Sequence, residues 1–391
     1  MTTSTLPQWF AAAQQEAWET YQSLPTPNRK HETWRFSNLK QLDFDGIQFA
    51  ATEKLDLEVP ADLPAGVICL PLLEALEKHS DLVEKYFMQN AAELGSAKYA
   101  ALHRAKLTNG LFVYVPANVQ VEKPIKVTHT VAGKNTAICP HTLIVTETGA
   151  KVSVVDKFVS ADEEAGICIA VNDLIAGDNS ELNYVAIQDL NEQSRMIQIN
   201  DTTVSRDARA KAFTLNIGAA WARNEAYSRM IGEGAHSDML SVGIPYGTQQ
   251  YDQRTYQHHA VPHTYSDLLY KNTLYANSKS VFSGLILVDA GAHYTDAYQT
   301  CRNLMMEDTT EANSMPGLEI NADQVKCSHG STASPINDDE ISYLLARGIR
   351  PRDARRLIAK GFSAEAYERL KDAELIDIVH DAIEAKFARI V

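Results

Sequence analysis

Cysteine is scarce in this 391-residue chain and poorly placed for pairing. Cys69, Cys139, Cys168, Cys301 and Cys327 are odd in number, form no CxxC pair and stand in no close Cys/His quartet. A disulfide framework and a structural zinc are both disfavoured. Long apolar runs are missing as well: no stretch approaches the roughly 18 consecutive apolar residues that a membrane helix needs. The opening MTTSTLPQWFAAAQQEAW has no basic start followed by an apolar segment. The expectation is a cytoplasmic protein with reduced thiols and no membrane contact. Positive charge is in deficit, with 36 Lys and Arg against 50 Asp and Glu and a net charge of -14. No local basic cluster reverses it, so nucleic acid is not an expected partner. Catalytic signatures are absent too. There is no GxxxxGK(S/T) phosphate loop and no GxSxG elbow, and the chain is read as non-enzymatic.

What is present is the composition of a folded protein, 45% hydrophobic and 22% charged. Trp9, Phe10, Ala13, Ala17 and Tyr21 recur at helical spacing, with Pro7 near the first turn, and helical patterns return at 72–89 and 97–104. From Leu111 the character changes. Segments such as LFVYV (111–115), TLIVTET (142–148), KVSVVDKFV (151–159) and SVFSGLILV (280–288) are rich in Val, Ile, Tyr and Thr and are separated by Gly, Asn or Asp turns. Strands at this density with few intervening helical stretches point to one large β body rather than a βαβ crossover fold, and leave sandwich, barrel and β-helix open. No strict internal repeat selects among them.

The last fifty residues are helical again. Asn337 with Glu340 suggests a capping box, Gly348 a stop, Pro351 a new first turn, Gly361 a second stop and Ser363 a third cap. Ile376, Val379, Ile383, Phe387 and Ile390 form an apolar stripe on the final helix. The expected organisation is therefore a mainly helical region over 1–108, a β core over 109–335 and a helical domain over 336–391, so mainly β with helical ends.

Five motifs in the C-terminal part occur in an order that carries a resemblance: FSGLILV, TDAYQ with RNLMM, MPGLEI, VKCSHGST, and YLLARGI with ARRLIAKGF. Together they resemble the SufB/SufD family of iron–sulfur cluster assembly proteins, and LPTPNRKHETWRFSNL (24–39) resembles its SufD branch. The resemblance implies a right-handed parallel β-helix core flanked by helical regions. It implies a scaffold that pairs with SufB through the core, shares a cluster-assembly site with it, and docks the SufC ATPase on C-terminal helices. Candidate docking residues there are Ile341, Leu344, Leu345, Ile358, Phe362, Ile383 and Phe387, for which internal packing is the alternative. Any iron–sulfur cluster or iron would be transient and shared, with none held tightly by the isolated chain. The sequence leaves open whether that isolated chain forms a homodimer.

Cys327 and His329 lie two apart, so on a strand both face the same side, and a thiolate with an imidazole suits iron. A buried thiol beside a hydrogen-bonded histidine is the plainer reading. The resemblance favours His329, since family members use the matching histidine at the SufB–SufD interface. Gly317-Leu318-Glu319-Ile320-Asn321, where SufB carries a cysteine, has no thiol here. His258, His259 and His263 invite a metal reading, but adjacent strand residues face opposite sides, and structural roles are expected. Cys139, Cys168 and Cys301 are expected to fill the core, and Asp296 and Gln299 to satisfy turns and strand ends. Two rival functions remain: a carbohydrate-active enzyme on a β-helix, and a homo-oligomeric iron-binding protein.

Overall fold

The computed structural model describes residues 6–51 and 54–390. The strand-rich stretch is a parallel β-solenoid of about eight turns. One sheet is formed by Asn109–Val115, Pro140–Thr146, Ile167–Ala176, Arg195–Val204, Trp221–Met230, Gln250–His259, Lys279–Val288 and Glu311–Ile320. The other takes Ile125–Val131, Lys151–Ser160, Glu181–Asp189, Arg209–Asn216, His236–Gly243, Tyr265–Leu274, Asp296–Met305 and Lys326–Pro335. Successive long strands thus alternate between sheets, and hydrogen-bonded neighbours lie one coil apart. Parallel pairing needs a long return path, which here is the strand in the opposite sheet rather than a crossover helix.

The repeat is one of backbone length. Trp221 pairs with Gln250 and Gln250 with Lys279, a step of about 29 residues. Side chains do not repeat with it: Ala226, Thr255, Gly284 and Pro316 occupy one position on four successive coils. One corner is a column of residues with left-handed backbone, including Asp207, Gly234, His263, Tyr294 and Gln324. Main-chain bonds link it, such as Gly234 N–H to His263 C=O and Tyr294 N–H to Gln324 C=O, both 3.1 Å.

The N-terminal region covers the first sheet. Helix Gln8–Ser23 buries Phe10, Ala13 and Ala17, and Pro7 takes the capping position just ahead of its first turn. The pattern over 72–89 forms two helices, Leu72–Lys78 and Ser80–Tyr86, because the chain turns at His79 (φ -137°, ψ 39°). That turn lets Leu76 and Val83 join one cluster with Phe10 and Phe87. A third helix spans Ala97–Ala105. The region also contributes strands: Lys54–Glu58 pairs antiparallel with Ile125–Val131, and Ile68–Pro71 with Asn109–Val115.

The C-terminal helices Asp338–Ala346, Pro351–Tyr367 and Ala373–Ile390 lie on the outer face of the second sheet. Asn337 Oδ1 accepts the Asp339 N–H at 2.9 Å, and Gly348 (φ 81°) ends the first helix. Gly361 does not end the second, which runs on to Tyr367, with Ser363 Oγ donating to the Ala359 carbonyl at 3.0 Å inside it. Burial of Ala359, Ser363, Ala366 and Tyr367 offsets the ~1 kcal/mol that glycine costs in a helix. Leu375, Val379, Ile383 and Phe387 pack with Leu215, Leu240, Val242 and Tyr275 of the solenoid side.

Candidate functional site

Four of the five motifs that carry the resemblance fall on four consecutive strands, Lys279–Val288, Asp296–Met305, Glu311–Ile320 and Lys326–Pro335, and the fifth on the first two C-terminal helices. The last two strands are the terminal members of their sheets, and their residues are half-buried or exposed throughout. Cys327 is half-buried and His329 exposed on the final strand. Register places Cys327 against Ala297, His329 against Gln299 and Ser331 against Cys301, all buried residues of the preceding coil. Cys327, His329 and Ser331 therefore share the inward-facing column. The Ser331 hydroxyl meets the Ser314 hydroxyl of the opposite sheet at 2.6 Å. Thiol and imidazole thus converge on the mouth of the solenoid, where no further coil covers them.

Cys327 packs beside Ile286, Val288 and Ala297. Burial pushes its thiol pKa up, against a backbone hydrogen bond from Ala297 that lowers it. A thiol of this kind becomes a ligand when a metal displaces its proton. Two donors do not complete an iron site, and among the described residues no group of three or more His, Cys, Asp or Glu gathers to hold a metal ion.

His258 and His259 point to opposite sides. His259 is buried, sharing hydrogen bonds with Thr264 Oγ1 (2.7 Å) and Ser266 Oγ (2.9 Å), and desolvation lowers its pKa to about 3. His258 meets Asp289 at 2.8 Å on the outer side. His263 stacks on Tyr294 with centroids 4.9 Å apart. Cys139, Cys168 and Cys301 are buried. Burial raises the Cys301 pKa to about 12.

Two expectations need correcting. Gln299 does not satisfy a turn or strand end: it sits mid-strand, 1% exposed, and neither amide atom has a hydrogen-bond partner among the described residues. Ile383 and Phe387 are 2% and 0% exposed, so these two candidate docking residues pack internally, while Ile376 and Ile390 of the same stripe are partly buried. Ile341, Ile358 and Phe362 lean on the same cluster, whereas Leu344 is half-buried. Apolar exposure lies instead on Leu345 (40%) and on Tyr343 (59%) and Leu357 (49%), the last two missed because isolated apolar residues on a helix carry no sequence signal of exposure.

A second group missed from sequence lies under the N-terminal region. Arg223, fully buried, bonds Glu225 and Asp252 at 2.7 Å each, and Arg254 bonds Asp252 at 2.7 Å. Burial opposes the Asp252 charge, but the two guanidiniums outweigh it and hold its pKa below the usual carboxylate range. Ser96 Oγ donates to Glu225 at 2.6 Å. Arg223 with Glu225 and Asp252 with Arg254 are i,i+2 pairs on their own strands, but the link between them, Arg223 to Asp252, spans 29 residues and is made only by register.

Comparison with known proteins gives a family match over most of the chain. Residues 129–362 match the family described as "SUF system FeS cluster assembly, SufBD core domain", and residues 48–127 match "SufBD protein N-terminal region". The iron–sulfur cluster assembly protein SufD of Escherichia coli is 34% identical, covering 89% of this chain and 86% of its own. SufD of Bacillus subtilis is 27% identical, covering 93% and 91%. A SufBD family protein of Synechocystis is 26% identical, covering 90% and 86%.

Proposed function

Because this chain belongs to the SufB/SufD family of iron–sulfur cluster assembly proteins, we propose that it is a non-catalytic scaffold whose solenoid mouth pairs with SufB and lends His329 to a shared assembly site. The observation that carries the reading is the position of His329 and Cys327 on the inward column of the terminal strand. A long unpaired strand edge is a template for another chain, and Glu311–Ile320 and Lys326–Pro335 supply two such edges side by side. Pairing there completes a donor set that two side chains leave short, since iron–sulfur clusters are usually held by about four protein ligands. His329 is the principal donor and Cys327 an accessory one, and the cluster is transient cargo.

SufC docking is assigned to the first two C-terminal helices, which keep Tyr343, Leu345 and Leu357 exposed, rather than to the buried stripe. ATP hydrolysis belongs to that partner. No helix among the described residues is long and apolar enough to cross a membrane.

The test is anaerobic co-expression with SufB and SufC, comparing native chain with His329→Ala by visible absorbance and iron content. Loss of the cluster from an intact complex supports the reading. A full-yield cluster overturns it.

A further inference from the structure

Gln299 is fully enclosed, yet its amide is unpartnered among the described residues at both Oε1 and Nε2. A buried amide without partners leaves its desolvation uncompensated, so a glutamine kept there calls for an explanation. Its surroundings narrow the choice. On its own strand the inward neighbours are Ala297 and Cys301, and the coil before places Leu268 at its register position. Across the interior its amide oxygen lies against Gly284: a Cβ there would overlap Oε1 and crowd Thr255 Oγ1. Gly284 of FSGLILV and Gln299 of TDAYQ thus fit each other, the glycine leaving room for the amide. Thr255 Oγ1 is also unpartnered and can serve one end of the amide. On the following coil the register partner is His329, the one neighbour in that column with polar side-chain atoms.

We infer that Gln299 is a positioning residue for His329: no hydrogen bond joins the two in this structure, and on pairing the amide turns Nε2 toward Thr255 Oγ1 and Oε1 toward one ring N–H, so that the other ring nitrogen is presented to the shared site. Resting on the proposed role of His329, this supplies the outer partner that a ligating histidine ordinarily has, an acceptor that fixes tautomer and ring orientation. Loss of such a partner typically costs 10–100-fold in metal affinity.

The experiment is the anaerobic co-expressed complex carrying His329→Ala, Gln299→Leu or Gln299→Glu. It is read by iron content per intact complex and by the imidazole-nitrogen couplings in the pulsed electron paramagnetic resonance of the reduced cluster. Leucine fills the space without an acceptor, while glutamate restores one. Positioning predicts that Gln299→Leu loses cluster at least about tenfold and that Gln299→Glu retains it with an altered nitrogen coupling. A packing role predicts the reverse, leucine tolerated and buried glutamate damaging, and that result overturns the inference. If His329→Ala loses the cluster while Gln299→Leu leaves yield and coupling unchanged, positioning fails and the His329 reading stands. If His329→Ala keeps the cluster, both fall.

Discussion

The guanidinium carbon of Arg223 lies 3.7 Å from the ring centroid of Trp34. Trp34 belongs to the N-terminal segment LPTPNRKHETWRFSNL (24–39) and is itself buried, its indole N–H donating to the Gly95 carbonyl at 3.0 Å. The same Arg223 donates to the Leu94 carbonyl at 2.8 Å. One side chain of the first sheet thus ties two separate N-terminal segments to the solenoid.

Removing that tie leaves Glu225 and Asp252 buried with fewer counter-charges. Arg223→Met is expected to destabilise by about 3–5 kcal/mol, the cost of breaking a buried ion pair, and Trp34→Ala by about 3–5 kcal/mol. The double variant should cost less than the sum, because the two act on one contact. Urea unfolding of the four proteins checks this.

Acid should weaken the fold through two enclosed histidines. His103 is brought to about 3 by desolvation, with the neighbouring His141 adding to the shift, and His259 to about 3 mainly by desolvation. Both stay neutral in the folded chain while the unfolded chain protonates below about 6.5. Their contribution is complete above pH 6.5 and is lost as pH falls toward 3. At pH 5 each should cost about 2 kcal/mol. Denaturant midpoints of native protein and His259→Gln at pH 7 and 5 would show it, with a smaller drop in the variant.

Lys386 acts in the same direction at higher pH. It is 1% exposed on the final helix, near Gln249 Oε1 at 3.3 Å, and desolvation lowers its pKa to about 8. Below pH 8 the folded chain carries the cost of a buried ammonium. As pH rises from about 8 to 10.5 the folded form sheds a proton that the unfolded form keeps, so stability increases. Lys386→Met should therefore stabilise at pH 7, by up to about 3 kcal/mol, and flatten this rise. Thermal melts at pH 7 and 9.5 test both.

The two sets of C-terminal apolar residues should separate cleanly. Tyr343→Asp with Leu357→Asp is expected to abolish co-purification of SufC while leaving the melting temperature unchanged, since both positions are exposed. Ile383→Asp buries a carboxylate and should destabilise by several kcal/mol. Retention of SufC by a folded Tyr343/Leu357 variant would remove these helices from the docking surface.

The helix–β–helix order was legible because Val, Ile, Tyr and Thr cluster between turn residues, and because Gly348 and Pro351 punctuate the chain where the backbone breaks. The solenoid was not legible from pattern alone, since its period lives in main-chain length while Ala226, Thr255, Gly284 and Pro316 share one column. Gly361 misled because local propensity yields where a helix face is buried on a sheet. His329 and Cys327 could be paired by spacing, but Gln299 could not be joined to them. A polar residue pointing inward breaks the alternation that marks a strand's buried face, and its partner stands 30 residues away in register.

The open mouth of the solenoid also sets an order of events. In a stack where each coil is held by its neighbours, the terminal one has the smallest share of support and exchanges its amide protons soonest. His329 and Cys327 ride on that coil. Their strand gains a second row of main-chain bonds only when another chain is laid against it, so the donors stiffen at the moment of pairing. On the proposed pairing, assembly of the complex would act as a clock for the cargo, with firm metal capture deferred until the receiving partner is in place.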